Sequence, residues 1–273
     1  RNGAFADAGT SDLSKQWTYH AVTDIMLART ILGGMPEVRN DAVGIMGFSW
    51  GGYLTSFVIG VDNRFAFAVP VYGSAYLSEM YTYFGDAVKG SGAKWEPSLN
   101  IKNITAKVLW FNSDKDAHFS VNGTSLSYEN TPESILLVDP YLTHGGGNCW
   151  SRPEQFIFAD SVTRGGKGLI EIEEQPSGLN PVVKYTIPEG ISVHSAVVYY
   201  RDKEMGWQNT ELTSWKSMDC TVDAANKTVS VKLPEDTVAY YINIYDERTE
   251  KDLFMNKVER IGSSTKVVYL NKD

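Results

Sequence analysis

The run Ala42-Val43-Gly44-Ile45-Met46 passes without a break into Gly47-Phe48-Ser49-Trp50-Gly51-Gly52, and a helix-compatible segment, Tyr53 to Ile59, follows at once. A short apolar run bounded by turn residues suits a strand buried on both faces, which requires parallel neighbours beside it and helices above and below. The turn between strand and helix reads G-x-S-x-G. A serine hydroxyl is a poor nucleophile unless it is lifted on a tight strand-to-helix turn within reach of a base, and the flanking glycines permit that close turn. The bare pattern is a weak signal. Its weight comes from the strand before it and the helix after it.

The rest of the first 165 residues repeats this alternation. Ala21, Ile25, Ala28 and Leu32 fall at helical spacing between Ser14 and Gly33-Gly34. Phe65 to Tyr72, Lys107 to Asn112 and Ser134 to Val138 read as further buried strands, and Pro153 to Val162 as a closing helix. Alternating strands and helices predict an α/β architecture with a mostly parallel sheet. After Gly165-Gly166-Lys167-Gly168 the texture changes to β-branched and aromatic runs such as 195–200, 228–233 and 238–244, with turns at short intervals. That pattern predicts a C-terminal all-β, immunoglobulin-like sandwich of about seven strands, and two domains, 1–166 and 167–273.

A serine nucleophile needs a base, and the base needs an acid to hold its tautomer and stabilise the imidazolium. The segment Trp110 to His118 offers Asp114 and Asp116 just past a predicted strand. Asp116 is the preferred acid. Asp114, nearer the strand, reads as a loop brace and stays open as the alternative. His144, six residues beyond Val138, is the expected base. The stretch His144-Gly145-Gly146-Gly147 resembles an oxyanion loop, but it lies downstream of the serine, where the base belongs. His20, His118 and His194 read as core or surface residues, with His118 a candidate for the pocket wall alongside Phe48, Tyr72 and Trp150. The Trp50 N–H, directly after the serine, is the expected oxyanion donor.

Composition removes other classes. A formal charge of −8 without any Lys/Arg run argues against nucleic acid as a partner. No stretch approaches the roughly 20 continuous apolar residues of a membrane-spanning helix, so no membrane partner is expected. Cys149 and Cys220 fall in different predicted domains, which indicates no disulfide framework, and no metal-ligand cluster or cofactor motif stands out. Sequons at Asn103, Asn122 and Asn226 imply only that those loops are exposed.

The order Ser, Asp, His is that of α/β-hydrolases. Trp17 to Val22, Gly47 to Leu54, Val61 to Phe65 and Ala68 to Gly73 resemble the acetyl xylan esterase and dienelactone hydrolase-like branch of that fold, over roughly residues 15 to 165. The resemblance implies Ser49, Asp116 and His144 as the catalytic triad and a small-molecule or carbohydrate ester as substrate, with a periplasmic or extracellular setting. It also implies opening strands and a second oxyanion donor upstream, for which about 46 residues leave too little chain. The first domain is therefore expected to be N-terminally incomplete. The string Gly47-Phe48-Ser49-Trp50-Gly51-Gly52-Tyr53 also looks like prolyl-oligopeptidase-type serine peptidases. Three expectations follow: an ester hydrolase, ranked first; a peptidase of that type; and a non-catalytic carbohydrate-binding protein. For the last, Trp207, Trp215, Tyr199, Tyr200, Tyr240 and Tyr241 would form a platform, although aromatics at strand spacing read first as core.

Overall fold

The computed structural model describes residues 5, 7–80, 83–116, 118–145, 149, 151–202, 215–252, 254–258 and 260–270. Four parallel strands carry the first half: β1 (Gly44–Phe48), β2 (Phe67–Val71), β3 (Lys107–Asn112) and β4 (Ser134–Val138), side by side in chain order. Between and around them run α1 (Trp17–Gly33), α2 (Trp50–Val61), α3 (Tyr83–Lys89), α4 (Val121–Asn130) and α5 (Pro153–Arg164).

The strands read as continuous apolar runs because helices cover both faces. Ala68, Val108, Trp110, Leu136 and Val138 face a cluster that includes Tyr53, Phe57 and Val58 of α2. Their neighbours Val69, Val71, Leu109, Phe111 and Leu137 face the opposite cluster, which includes Phe158 of α5. This is the two-residue alternation of a strand with a hydrophobic partner on each side.

The C-terminal half consists of β5 (Glu171–Glu174), β6 (Val182–Thr186), β7 (Val193–Asp202), β8 (Lys216–Asp219), β9 (Thr221–Asp223), β10 (Thr228–Ser230), β11 (Thr237–Asp246), β12 (Glu250–Lys251), β13 (Lys257–Val258), β14 (Gly262–Ser264) and β15 (Val268–Tyr269). Two layers form. One is a small sheet in the order β5-β6-β10-β9; the other continues the parallel sheet, in the order β4-β14-β11-β7-β8, with β15 beside β11. Ile170, Val183, Tyr185, Val198, Val229, Tyr240 and Ile242 belong to the cluster between these layers.

One sheet thus runs through both halves of the chain. β14 pairs antiparallel with β4 through Ser264 and Leu136, and buried side chains close the seam beyond that pair. Val138 N–H donates to Ser264 Oγ at 2.7 Å, Ser264 Oγ donates to Asn243 Oδ1 at 2.6 Å, and Asn243 Nδ2 donates to the Val138 carbonyl at 2.9 Å. Tyr199, Tyr241 and Val267 share a cluster with Trp110 and Leu136. The C-terminal strands form two β layers, and the larger layer continues the parallel sheet. Periodicity reports that a strand is buried, not which strand lies beside it.

The aromatic platform also dissolves into core. Tyr199, Tyr240 and Tyr241 are buried, while Tyr200 and Trp215 are partly buried and packed on clusters. Trp207 lies outside the described residues. Among the described residues, no helix is long and apolar enough to cross a membrane.

Candidate active site

Ser49 sits between the end of β1 and the start of α2 at φ 53 and ψ −115, a positive-φ conformation that costs a non-glycine residue about 1–3 kcal/mol. The surroundings over-determine it. Ser49 N–H donates to the Val71 carbonyl at 3.1 Å, and the Ser49 carbonyl accepts from Tyr53 N–H at 2.8 Å. Gly47 is required by close approach, since a Cβ there would stand 2.2 Å from the Gly51 carbonyl oxygen. Gly52 packs against the end of β2, where a Cβ would meet the Val71 carbonyl oxygen at 2.6 Å and Gly73 Cα at 3.0 Å. Added methyl groups at Gly47 or Gly52 would push the elbow off the sheet.

The three predicted residues meet. Ser49 Oγ lies 2.9 Å from His144 Nε2, and His144 Nδ1 lies 2.6 Å from Asp116 Oδ2. All three follow the carboxyl ends of parallel strands, β1, β3 and β4, where α/β sheets place their ligand sites. Asp116 is buried, and its other oxygen accepts the backbone N–H groups of His118 at 2.8 Å and Phe119 at 2.7 Å. Those bonds orient the carboxylate, leaving Oδ2 for the imidazole.

Asp114, the alternative acid, turns away from His144 and accepts a 2.8 Å hydrogen bond from the Tyr241 hydroxyl. Burial raises its carboxyl to about 6. His20 is exposed and hydrogen-bonds the Ser14 carbonyl, and His194 is also exposed, so neither approaches the serine.

Aromatic rings frame His144. Tyr72 and His118 each place a ring centre 4.5 Å from that of His144, and Phe119 stacks at 6.2 Å. Tyr72 is buried, and burial together with its bond to Cys149 Sγ raises its hydroxyl well above the usual phenol range. His118 is exposed beside the base. Phe48 points into the α5-side cluster near Tyr72, 6.3 Å ring to ring. Trp150 lies outside the described residues.

Trp50 opens α2, directly after the serine. Its ring packs edge-on against Phe5, Tyr53 and Phe84, which anchors the elbow from the α2 side.

Some of the scaffolding has no sequence signal. Buried Asn112 donates to the Phe119 carbonyl at 2.9 Å and to Thr124 Oγ1 at 2.7 Å, bracing both ends of the acid loop. Ser113 Oγ donates to the Leu142 carbonyl at 2.5 Å and Lys115 Nζ to that of Pro140 at 2.7 Å, tying the acid loop to the base loop. Pairings across 25 to 29 residues leave no trace in local spacing. Among the described residues no cluster of His, Cys, Asp or Glu could hold a metal ion.

The sequence model of the prolyl oligopeptidase family matches residues 4–148, over half of the chain. No curated protein matches. Among solved structures, acetyl xylan esterase 1 from Thermoanaerobacterium sp. JW/SL YS485 is 21% identical, with 53% of each chain covered and a TM-score of 0.44. The acetyl xylan esterase from Paenibacillus sp. R4 is 15% identical over 50% of each chain, with a TM-score of 0.44. The acylaminoacyl peptidase of Pyrococcus horikoshii is 20% identical over 45% of this chain and 23% of that one, with a TM-score of 0.41. The chain spans about half the length of the esterases and about a quarter of the peptidase, and overlaps this slight carry no activity across. The family match takes in β1, Ser49, Asp116 and His144, and the chain belongs to the prolyl oligopeptidase family of α/β-hydrolase-fold serine hydrolases.

Proposed function

We propose that the chain is a serine carboxylic-ester hydrolase acting on acetyl or other short-acyl esters of a small molecule or carbohydrate. The observation that carries hydrolysis is the continuous line from Ser49 Oγ through the His144 ring to Asp116, built on a serine held at positive φ. In this reading His144 Nε2 takes the Ser49 proton as the oxygen attacks the ester carbonyl carbon. The imidazolium is stabilised by Asp116. Negative charge developing on the carbonyl oxygen is met by the Trp50 N–H. Collapse expels the alcohol with the proton held on His144, leaving an acyl-Ser49 ester. Water, deprotonated by His144, then attacks that ester and releases the acid.

The choice of an ester rests on the resemblance of residues 15–165 to acetyl xylan esterases. The prolyl oligopeptidase family match supports a second reading, in which the same steps cleave a peptide bond and His144 protonates the departing amine. Treating the wild-type chain and Ser49→Ala with a fluorophosphonate probe, followed by peptide mapping, tests the nucleophile. Label confined to Ser49 is the expected result, and label elsewhere or none would sink the hydrolase reading. Acetylated sugars and p-nitrophenyl acetate, run beside aminoacyl and prolyl chromogenic peptides, separate the two substrate classes.

A further inference from the structure

Asp114 takes no part in the line from Ser49 to Asp116, yet it occupies a costly position. The residue is 6% exposed, its Oδ2 accepts from the Tyr241 hydroxyl at 2.8 Å, and its Oδ1 has no hydrogen-bond partner among the described residues. Its backbone carbonyl accepts from Trp215 Nε1 at 3.3 Å. Tyr241 lies in β11 and is itself fully buried, stacked on Tyr199 at 5.1 Å and met edge-on by Trp215 at 5.1 Å. A carboxyl with one bare oxygen in an aromatic cluster is poor glue, because an apolar pair of the same shape would hold as well without the desolvation cost.

Position explains the arrangement better than stability does. Asp114 precedes Asp116 by two residues, a span of about 7 Å at most between Cα atoms, so a shift of one is felt by the other. Toward β4 the acid loop is tied to the base loop by Ser113 and Lys115. Toward the C-terminal strands, among the described residues, its hydrogen bonds are those of Asp114 to Tyr241 and Trp215. We propose that Tyr241 and Asp114 form a positioning pair through which the C-terminal strands set where Asp116 meets His144, so that this half of the chain is part of the hydrolytic apparatus. The proposal rests on the Ser49 reading above.

The test is the rate of fluorophosphonate inactivation across pH for the full chain, for Tyr241→Phe, Asp114→Ala and Asp114→Asn, and for the double variant Tyr241→Phe with Asp114→Ala. Intact-mass titration counts reactive sites, so that loss of folded protein is not read as a slower rate. Tyr241→Phe and Asp114→Ala are each expected to react about tenfold more slowly per reactive site, the equivalent of a poorly placed catalytic partner. Their pH–rate midpoints should move downward, since a misplaced carboxylate supports the imidazolium less. Asp114→Asn, which keeps an acceptor for Tyr241, should recover most of the rate. The double variant should be no slower than either single one. Unchanged rate constants and midpoints in both single variants would reduce the pair to packing and overturn the proposal. If Tyr241→Phe does not fold, Trp215→Phe carries that arm, with a two- to threefold slowing expected and an unchanged rate counting against the idea. A wild-type chain that takes no label removes the Ser49 reading itself, a result distinct from normal labelling in every variant.

Discussion

The ring of Tyr72 lies 4.5 Å from the ring of His144, and the Tyr72 hydroxyl donates to Cys149 Sγ at 2.7 Å. One side chain therefore packs against the proposed base and pins the loop on its far side. Tyr72 adopts φ 32, a backbone state that rigid surroundings must hold in place.

Tyr72→Phe keeps the ring and removes the hydroxyl's bond to Cys149. Folding stability is expected to fall by about 1–2 kcal/mol, the worth of a buried hydrogen bond lost on one side. Turnover of the proposed short-acyl ester should drop severalfold at nearly constant KM, because the loop after His144 loosens while the ring beside His144 stays in place. Steady-state kinetics beside urea unfolding would read both, and a variant equal to wild type in each would deny Tyr72 this bridging role.

The elbow glycines separate by what surrounds them. Gly51 has nothing within 4 Å of where its Cβ would be, whereas a Cβ on Gly52 would strike the backbone of Val71 and Gly73. Gly51→Ala, in the first turn of α2, is expected to be neutral or to gain up to about 1 kcal/mol from helix propensity. Gly52→Ala should lose about 1–3 kcal/mol through overpacking against an unyielding strand. Thermal unfolding of the two proteins checks the pair. Equal melting temperatures would mean that the elbow relaxes more readily than its contacts indicate.

Asp114 predicts a pH signature in stability. Its folded carboxyl titrates at about 6, against about 4 in an unfolded chain. A raised folded value means that the favourable contribution of the protonated form is fully present below about pH 4 and is lost as pH rises through about 6. At neutral pH the buried charge then costs on the order of 3 kcal/mol. Asp114→Asn removes that charge while keeping an acceptor for Tyr241. Urea unfolding should show little difference between variant and wild type at pH 4 and a clear advantage for the variant at pH 7. An advantage of the same size at both values would show that ionisation of Asp114 is not the cause.

Local sequence was enough for the strand before Ser49, the helix after it, and the alternation through α5, because each depends on residues within a few positions of one another. The order of Ser49, Asp116 and His144 along the chain, each just past a strand, also limited which groups could meet. In sequence terms Asp116 and Asp114 are near equals, and it is their surroundings that differ. Two residues apart on one loop, the first faces Tyr241 and the second faces His144.

Tertiary structure alone decided what lies beside what. Nothing in the spacing of residues 167–273 says that β14 pairs with β4, that Asn243 and Ser264 stitch the seam, or that Tyr241 reaches the acid loop 127 residues away. A strand's pattern of apolar residues records how much of it is buried, since burial depends on its own side chains. Its partner depends on register, on chain reversal elsewhere and on hydrogen bonds that any backbone can make, and those are properties of the whole sheet.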